Sequence, residues 1–542
     1  MRSRGAAWRR SGIGACAALF VVTGGALDVA GPTSAASASA SATTWYAYAH
    51  GGARSPDSCP QTANASEQCT LSQALSKATA GSSVDLASSA QAGVYVGNWT
   101  VSTPGTTSSA PLSIRPAAGV SEPTLGGNRG QSAGCGTATC NGPVLTIGPK
   151  VHLDIEGITI RHADNTTATG LGGAIENIHG GTVTVTRSTF LDNYADANGG
   201  AIDNADITGT GTLIVSGSSF LGNLAENNDG GAIANADVDG HGSVTVSGST
   251  FSGNSALNGD GGAIDNGDTR GNGRLVVSGS AFVGNVAARA GAIDNADNAQ
   301  GTLSVTASTF TGNVSVADDA GAIDNGDWGG TGTLIVSGST FSGNKTLGDG
   351  GAIDNADNTA ASRGTLIVST STFSGNIADV HGGAIANADF GGKGTAVVSA
   401  STFSGNSANN IYDTNGGGGG VIDTGTYSTV WVVADIFDGP CRRGGGIWED
   451  EGYNVGSDGS CLGRARGDIG HGANRLGPLA SHGGPTMTIL PLKGNPAIDA
   501  IPFRTTVTLS HRPIDLCPAT DERGVLTTSK RSCNAGALQL PG

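Results

Sequence analysis

Between Gly173 and Asn406 the chain repeats one pattern eight times, about every thirty residues. The pattern is Gly-Ala-Ile-(Asp/Ala)-Asn-(Ala/Gly)-Asp, a polar loop, then Gly-Thr-Leu-Ile-Val-Ser-Gly-Ser-Thr-Phe-Ser-Gly-Asn. Its Ile recurs at positions 175, 202, 233, 264, 293, 323, 353 and 385. The Phe of Phe-x-x-Asn recurs at 190, 220, 251, 282, 310, 341, 373 and 403. So regular a period describes a stacked array, in which each repeat buries its apolar face only against its neighbours.

With 91 glycines and 5% aromatic residues, the composition alone fits either low complexity or a turn-rich solenoid. The periodic Leu-x-Val and Phe decide for the solenoid, because disordered Gly-rich chains have no such recurrence. Leu-Ile-Val-Ser alternates as a strand does, and Gly-Ala-Ile and Thr-Phe are two further short strands. Three short strands in about thirty residues make one coil of a parallel β-helix. In register, like residues stack, giving a Phe column, an Ile column and an Asn column at the Phe-x-x-Asn turns. Stacked Asn amides bond one another along the axis, so these Asn residues are structural.

The net charge of −16 opposes a nucleic-acid partner, which requires clustered Lys and Arg. Arg2, Arg4, Arg9 and Arg10 followed by the apolar run Ile13 to Val22 read as an export signal over residues 1–42. No other segment reaches the ~20 apolar residues of a membrane span. Eight further cysteines fall in close pairs, Cys59 with Cys69, Cys135 with Cys140, Cys441 with Cys461 and Cys517 with Cys533. None has Cys-x-x-Cys spacing, so disulfides pinning the irregular ends are expected rather than metal sites.

The organisation expected is a signal peptide over 1–42, an N-terminal cap and first coils over 43–150, the repeat helix over 151–433, and a C-terminal module over 434–542. Trp45 to Ala49 reads as a strand, and Gln68 to Leu75 opens an amphipathic helix that covers the end of the rod. Such a cap is needed because an exposed coil edge recruits other chains.

Cys69-Thr70-Leu71-Ser72-Gln73-Ala74-Leu75 resembles the Cys-Ser-Leu-Arg-Glu-Ala-Ile motif that opens many secreted bacterial β-helix proteins, with Ser72 and Gln73 departing from Arg-Glu. The Gly-Gly-Ala-Ile and Phe-x-x-Asn elements resemble polymorphic outer-membrane-protein repeats. The tail is similar to choice-of-anchor Q domains: it carries Leu476-Gly477-Pro478-Leu479, Pro496-Ala497-Ile498-Asp499-Ala500 and Thr520-Asp521-Glu522-Arg523-Gly524. These resemblances imply a right-handed, pectate-lyase-like parallel β-helix at or beyond the cell surface. They leave the activity open.

Two Asp columns carry the strongest polar pattern. One, unbroken, closes each Gly-Ala-Ile element at Asp206, Asp237, Asp268, Asp297, Asp327, Asp357 and Asp389. The second, Asp203, Asp265, Asp294, Asp324 and Asp354, is broken by Ala234 and Ala386. Alternation with inward Ile and Asn puts the second column on the solvent side. Carboxylates ~5 Å apart repel by about 1 kcal/mol in water, so turn hydrogen bonds, raised pKa values or calcium must offset them. Calcium takes oxygen-only ligands. It is the candidate ion at Asp265, Asp294, Asp324 and Asp354, while the unbroken column is read as turn caps.

No catalytic residue is assigned. Gly240-His241-Gly242, placed in a variable loop, and Gly470-His471-Gly472 occur by chance in a chain this rich in Gly, and Asp318-Asp319 is the one adjacent Asp pair. The reading is of a secreted or cell-surface, monomeric, non-catalytic protein, adhesin-like or structural. It would present a long acidic face to an extracellular polysaccharide or a cell-surface protein. The competing reading is a polysaccharide lyase or glycoside hydrolase working in a shallow groove on the same rod.

Overall fold

The computed structural model describes residues 43–49, 59–63, 68–88, 93–127, 141–409, 419–509, 512–527 and 531–540. The expected export signal and the Cys135–Cys140 pair lie outside the described residues. The rest is an all-β parallel solenoid. Each repeat adds a strand to four sheets, where the sequence pattern shows three. In one coil these are Ile264–Asn266, Asn272–Ser278, Ala281–Val283 and Val286–Arg289. The fourth strand is as short as Leu224–Ala225, too short to display any period.

The strand Asn272–Ser278 belongs to a 14-stranded wide sheet, and Ala281–Val283 to a 13-stranded sheet that carries the Phe column. Pairing is in register from coil to coil: Ile264 lies on Ile293, Val277 on Val305 and Phe282 on Phe310. The Phe rings from Phe190 to Phe403 therefore stack near-parallel, with centroids 4.6 to 4.9 Å apart. Leu and Val of the wide sheet and the Ile column complete one continuous core. Burying these side chains is the main stabilisation of the rod.

The corners are held by polar ladders that match the same register. Asn193, Asn223, Asn254, Asn285, Asn313, Asn344 and Asn376 each donate from Nδ2 to the next coil's Asn at 2.8 to 2.9 Å. A second Asn ladder, from Asn177 to Asn387, runs through the Ile-x-Asn strands at 2.7 to 2.8 Å. Between wide sheet and Phe sheet, Ser218, Ser249, Ser280 and their equivalents accept the amide of the preceding coil's Ser. Buried polar groups in a repeat can be satisfied by their own images, which removes the desolvation cost they would bear singly.

The two ends depart from the repeat. The helix Leu71–Lys77 starts on a capping box between Thr70 and Gln73 and buries Leu71 and Ala74 against the core. Cys59–Cys69, with Cα atoms 5.3 Å apart, ties the segment before it. At the other end parallel pairing continues past the fading of the motif, through Val455–Gly456. Beyond it the chain turns to antiparallel pairs, such as Leu476–Ala480 with Thr488–Pro491. Cys441–Cys461 and Cys517–Cys533 bridge this region at Cα separations of 5.0 and 5.7 Å.

The tail also runs back along the flank of the rod. Thr340, Thr372 and Thr402, in register on the outside of the Phe sheet, donate to Glu522 (Thr340, Thr372) and accept from the Ala537 amide (Thr402). All three Thr are buried, whereas Thr189, Thr250 and Thr309 in the same column are partly open.

Candidate functional site

Among the described residues, the Gly-Ala-Ile strands gather a concentration of acidic groups. In Ile264-Asp265-Asn266 alternation points Ile and Asn inward and Asp outward, as the sequence predicts. Yet Asp203, Asp265, Asp294, Asp324 and Asp354 are all 2% exposed or less, which corrects the solvent-side placement. The cause is the chain on either side. Before these strands a residue at positive φ doubles the backbone back onto the strand, a glycine in most coils and Ala290 (φ +52°) and Ala320 (φ +55°) before Ile293 and Ile323. A Cβ at Gly230 (φ +66°) would meet the Ile233 carbonyl at 2.3 Å, so glycine allows this close approach in that coil. The loop after the strand brings the unbroken Asp column over the same face.

The doubling back also delivers a third column, invisible to the sequence reading apart from the Asp318-Asp319 pair. It is the residue just before each Gly-Gly or Ala-Gly: Asn198, Asp229, Asp260, Arg289, Asp319, Asp349 and His381. Its signal was the fixed offset from Ala-Ile, which a search for invariant residues passes over because the residue type varies. The three columns converge into a buried seam along the rod. Carboxylate oxygens of Asp229, Asp237 and Asp268 lie within 4.8 Å of one another, as do those of Asp260, Asp294 and Asp297, and of Asp319, Asp354 and Asp357. Asp349, His381 and Asp389 form a fourth such group.

Part of each group is satisfied locally. Asp206, Asp268 and Asp327 accept the amide of the following residue, at 2.5, 2.5 and 2.6 Å, so the turn reading holds for these members. Asn358 donates to Asp319 and Asp327. Arg289 donates from Nε to Asp260 at 2.8 Å and from a terminal nitrogen to Asp297 at 3.1 Å. Elsewhere buried oxygens have no hydrogen-bond partner, among them both of Asp203, both of Asp265, Oδ1 of Asp237 and Asp324, and Oδ2 of Asp354 and Asp357.

Burial pushes Asp265, Asp294, Asp324 and Asp354 well above the usual carboxylate range, and neighbouring acids push them further. Burial likewise raises Asp297 to about 10 and Asp327 to about 6, the latter restrained by Asn358 and the Trp328 amide. Arg289 is desolvated too, but Asp260 and Asp297 outweigh that and strengthen its hold on its proton.

The other candidates separate from the seam. His241 opens the strand His241–Ser247 of the wide sheet instead of lying in a loop, and its register neighbours are Thr210 and Asn272. These three line a shallow depression. His471 sits in the tail with Nδ1 3.3 Å from the Ser457 carbonyl. Trp328 stacks over Arg289 at 5.4 Å, and Trp431 packs under the tail. Among the described residues no helix is long and apolar enough to cross a membrane.

Residues 338–356 and 370–388 match the Chlamydia polymorphic membrane protein repeat, which covers two of the turns described above. No curated protein matches the chain in sequence. Among solved structures it is similar to the PL6-family alginate lyase AlyGC, at 11% identity and TM-score 0.36, over 87% of this chain and 57% of that one. Tailspike protein 3 of bacteriophage CBA120 aligns at 13% identity and TM-score 0.28, over 72% of this chain and 54% of the tailspike. The chain thus spans little more than half the length of either. A GH136 lacto-N-biosidase from Eubacterium ramulus aligns at 10% identity and TM-score 0.29, over 79% of this chain and 67% of the enzyme.

Proposed function

We propose that the protein is a secreted or cell-surface β-helix rod, adhesin-like or structural, that works by presenting its wide sheet to an extracellular polysaccharide. The expected acidic face is not the surface concerned, since the carboxylates that would form it are buried in the seam. One observation carries the reading. The outward positions of the wide sheet form in-register rows of hydroxyls, with Thr333 on Thr365 and Thr395, and Ser337 on Ser369 and Ser399. Rows ~4.8 Å apart offer a donor and an acceptor at every step, which suits a polymer that itself repeats. The export signal and the choice-of-anchor-Q-like tail belong to the same proposal, with the polymorphic-membrane-protein repeat match and the disulfides in their support.

The test is retention of the full chain by insoluble cellulose, chitin and peptidoglycan, before and after placing charge on the sheet with Ile214→Lys and Ile335→Lys. Loss of retention in the folded variants is expected. Retention that the substitutions leave unchanged would move the contact to another face.

A second reading, a polysaccharide lyase or hydrolase, has its own observation. His381 Nδ1 lies 3.1 Å from Asp349, in a group with Asp389 and with the 59%-exposed Phe390 ring 6.1 Å from the imidazole. Release of unsaturated or reducing ends that disappears in His381→Ala would favour it over binding alone.

A further inference from the structure

We infer that the carboxylate seam is a calcium track. One ion sits among Asp229, Asp237 and Asp268, a second among Asp319, Asp354 and Asp357, and Arg289 serves as a built-in replacement for an ion between them. The inference is independent of what the wide sheet binds.

Convergence of three Asp is not the whole case. In the first group Asp237, 2% exposed, keeps an unpartnered Oδ1, while Asp265, completely buried in the same seam, has neither carboxylate oxygen hydrogen-bonded. In the second group Asp354 and Asp357 are both 0% exposed and each keeps an unpartnered Oδ2, beside Asp319 at 2%. Protonating these acids would not answer the need. A neutral buried carboxyl must also find a partner for its O–H, and leaving it unmade costs the desolvation of the group. A cation satisfies several oxygens at once.

The group between the two shows the chain's own solution. At Asp260, Asp294 and Asp297 the third column carries Arg289, whose guanidinium reaches Asp260 and Asp297. Beyond the second ion, the group of Asp349 and Asp389 has His381 in the same column. Where that column supplies a side chain able to carry positive charge, part of the acids' need is met from within, with Asp294 Oδ2, Asp297 Oδ1 and Asp389 Oδ2 left without a hydrogen-bond partner. Where it supplies Asp229 or Asp319 the positive charge must come from outside. An all-oxygen donor set selects a hard cation, and calcium tolerates the irregular geometry that magnesium does not.

The experiment uses the full chain, stripped by chelator and dialysed at pH 8, with calcium binding counted by equilibrium dialysis up to about a millimolar, where extracellular calcium modules saturate. Melting temperature is followed in parallel, with magnesium as comparator. Two calcium ions per chain are expected, together with a melting temperature that falls in chelator and returns with calcium but not with equal magnesium. Asp237→Asn and Asp354→Asn should each remove one ion. Arg289→Gln should add a third, and its melting temperature should depend on calcium more steeply than that of the parent. Should that variant fail to fold in chelator, its ion count in calcium remains the readout. Absence of calcium binding with a chelator-insensitive melting temperature would overturn the inference. So would two ions that persist unchanged in both Asn variants, since they would then lie elsewhere.

Discussion

The Phe column and the Asp seam are products of the same repeat, stacked at the same coil spacing, and their energetics have opposite sign. Between Phe190 and Phe403 each added ring gains contact with its neighbours at 4.6 to 4.9 Å and excludes water. Each added Asp meets another carboxylate in a site with little water, where repulsion exceeds the ~1 kcal/mol it would have in solvent. Repetition multiplies whichever sign the pair has. Accordingly the Phe column has no interruption across the repeats. The acidic columns are relieved at intervals by Asn198, Ala234, Arg289, His381 and Ala386. The irregular positions of this repeat are where its electrostatics are balanced.

Breaking the favourable column should have the largest effect. Phe282→Ala removes a fully buried ring between Phe251 and Phe310, so we expect a loss of about 3–5 kcal/mol. Native-state proteolysis should cut the variant first near that coil, and equal resistance in variant and parent would refute a load shared through the stack. Extending the unfavourable column is the converse. Ala234, 1% exposed, lies in register between Asp203 and Asp265. In chelator Ala234→Asp should cost roughly 3 kcal/mol, as an uncompensated buried charge does. That cost should ease in acid. Asp327, raised by burial to about 6, contributes stability that is complete below its ordinary value of 3.8 and is lost as pH climbs through 6. Chelated protein should therefore melt at a higher temperature at pH 5 than at pH 8.

A further pH-dependent effect is expected where a single acid is buried outside the seam. Glu522 bonds Thr340, Thr372 and Thr486 and is raised by burial from 4.5 to about 8, with neighbouring Asp521 held by Arg523. The Thr340 hydroxyl has one proton and two acceptors, the Met487 carbonyl at 2.5 Å and Glu522 at 3.0 Å. A proton on Glu522 lets both contacts be made. The folded pKa is raised, so this docking is strongest below pH 4.5 and weakens as pH rises through 8. At about 1.4 kcal/mol per unit the tail loses a few kcal/mol of attachment. Hydrogen exchange at Ala537, whose amide bonds Thr402, should speed up over that range, and Glu522→Gln should remove the pH dependence. If the variant keeps the parent's pH profile, Glu522 is not the titrating group. Smallest of all, Ile214→Lys on the outer face of the wide sheet should alter stability by no more than about 0.5 kcal/mol, measured by denaturant midpoint.

Much of this was legible beforehand because a repeat states its contacts many times. Ile, Phe and Asn recur at fixed offsets, and in a solenoid a residue's neighbour is its own image one period away. The coil, the Phe stack and one Asn ladder followed from that alone, and the three described disulfides from the close spacing of cysteines at the irregular ends. The fourth strand did not, because two residues show no alternation. Nor did the second Asn ladder or the Ser ladder, which ride on strands identified by their apolar residues.

Sequence by itself determined that these residues stack and what stacks on what. Tertiary structure alone decided where the Asp side chains end up. Strand alternation correctly turned Asp265 away from the core, but exposure depends on what folds over the outer face, and no pairwise period encodes that. The positive-φ reversal, at Gly230, Gly261, Ala290 and Ala320, laid Asp229, Asp260, Arg289 and Asp319 across the strand, converting an outward column into a buried one. The fold-back of the tail onto Thr340, Thr372 and Thr402 is of the same kind. It joins residues 135 to 182 positions apart, and such contacts are fixed by the shape of the assembled rod rather than by any spacing along the chain.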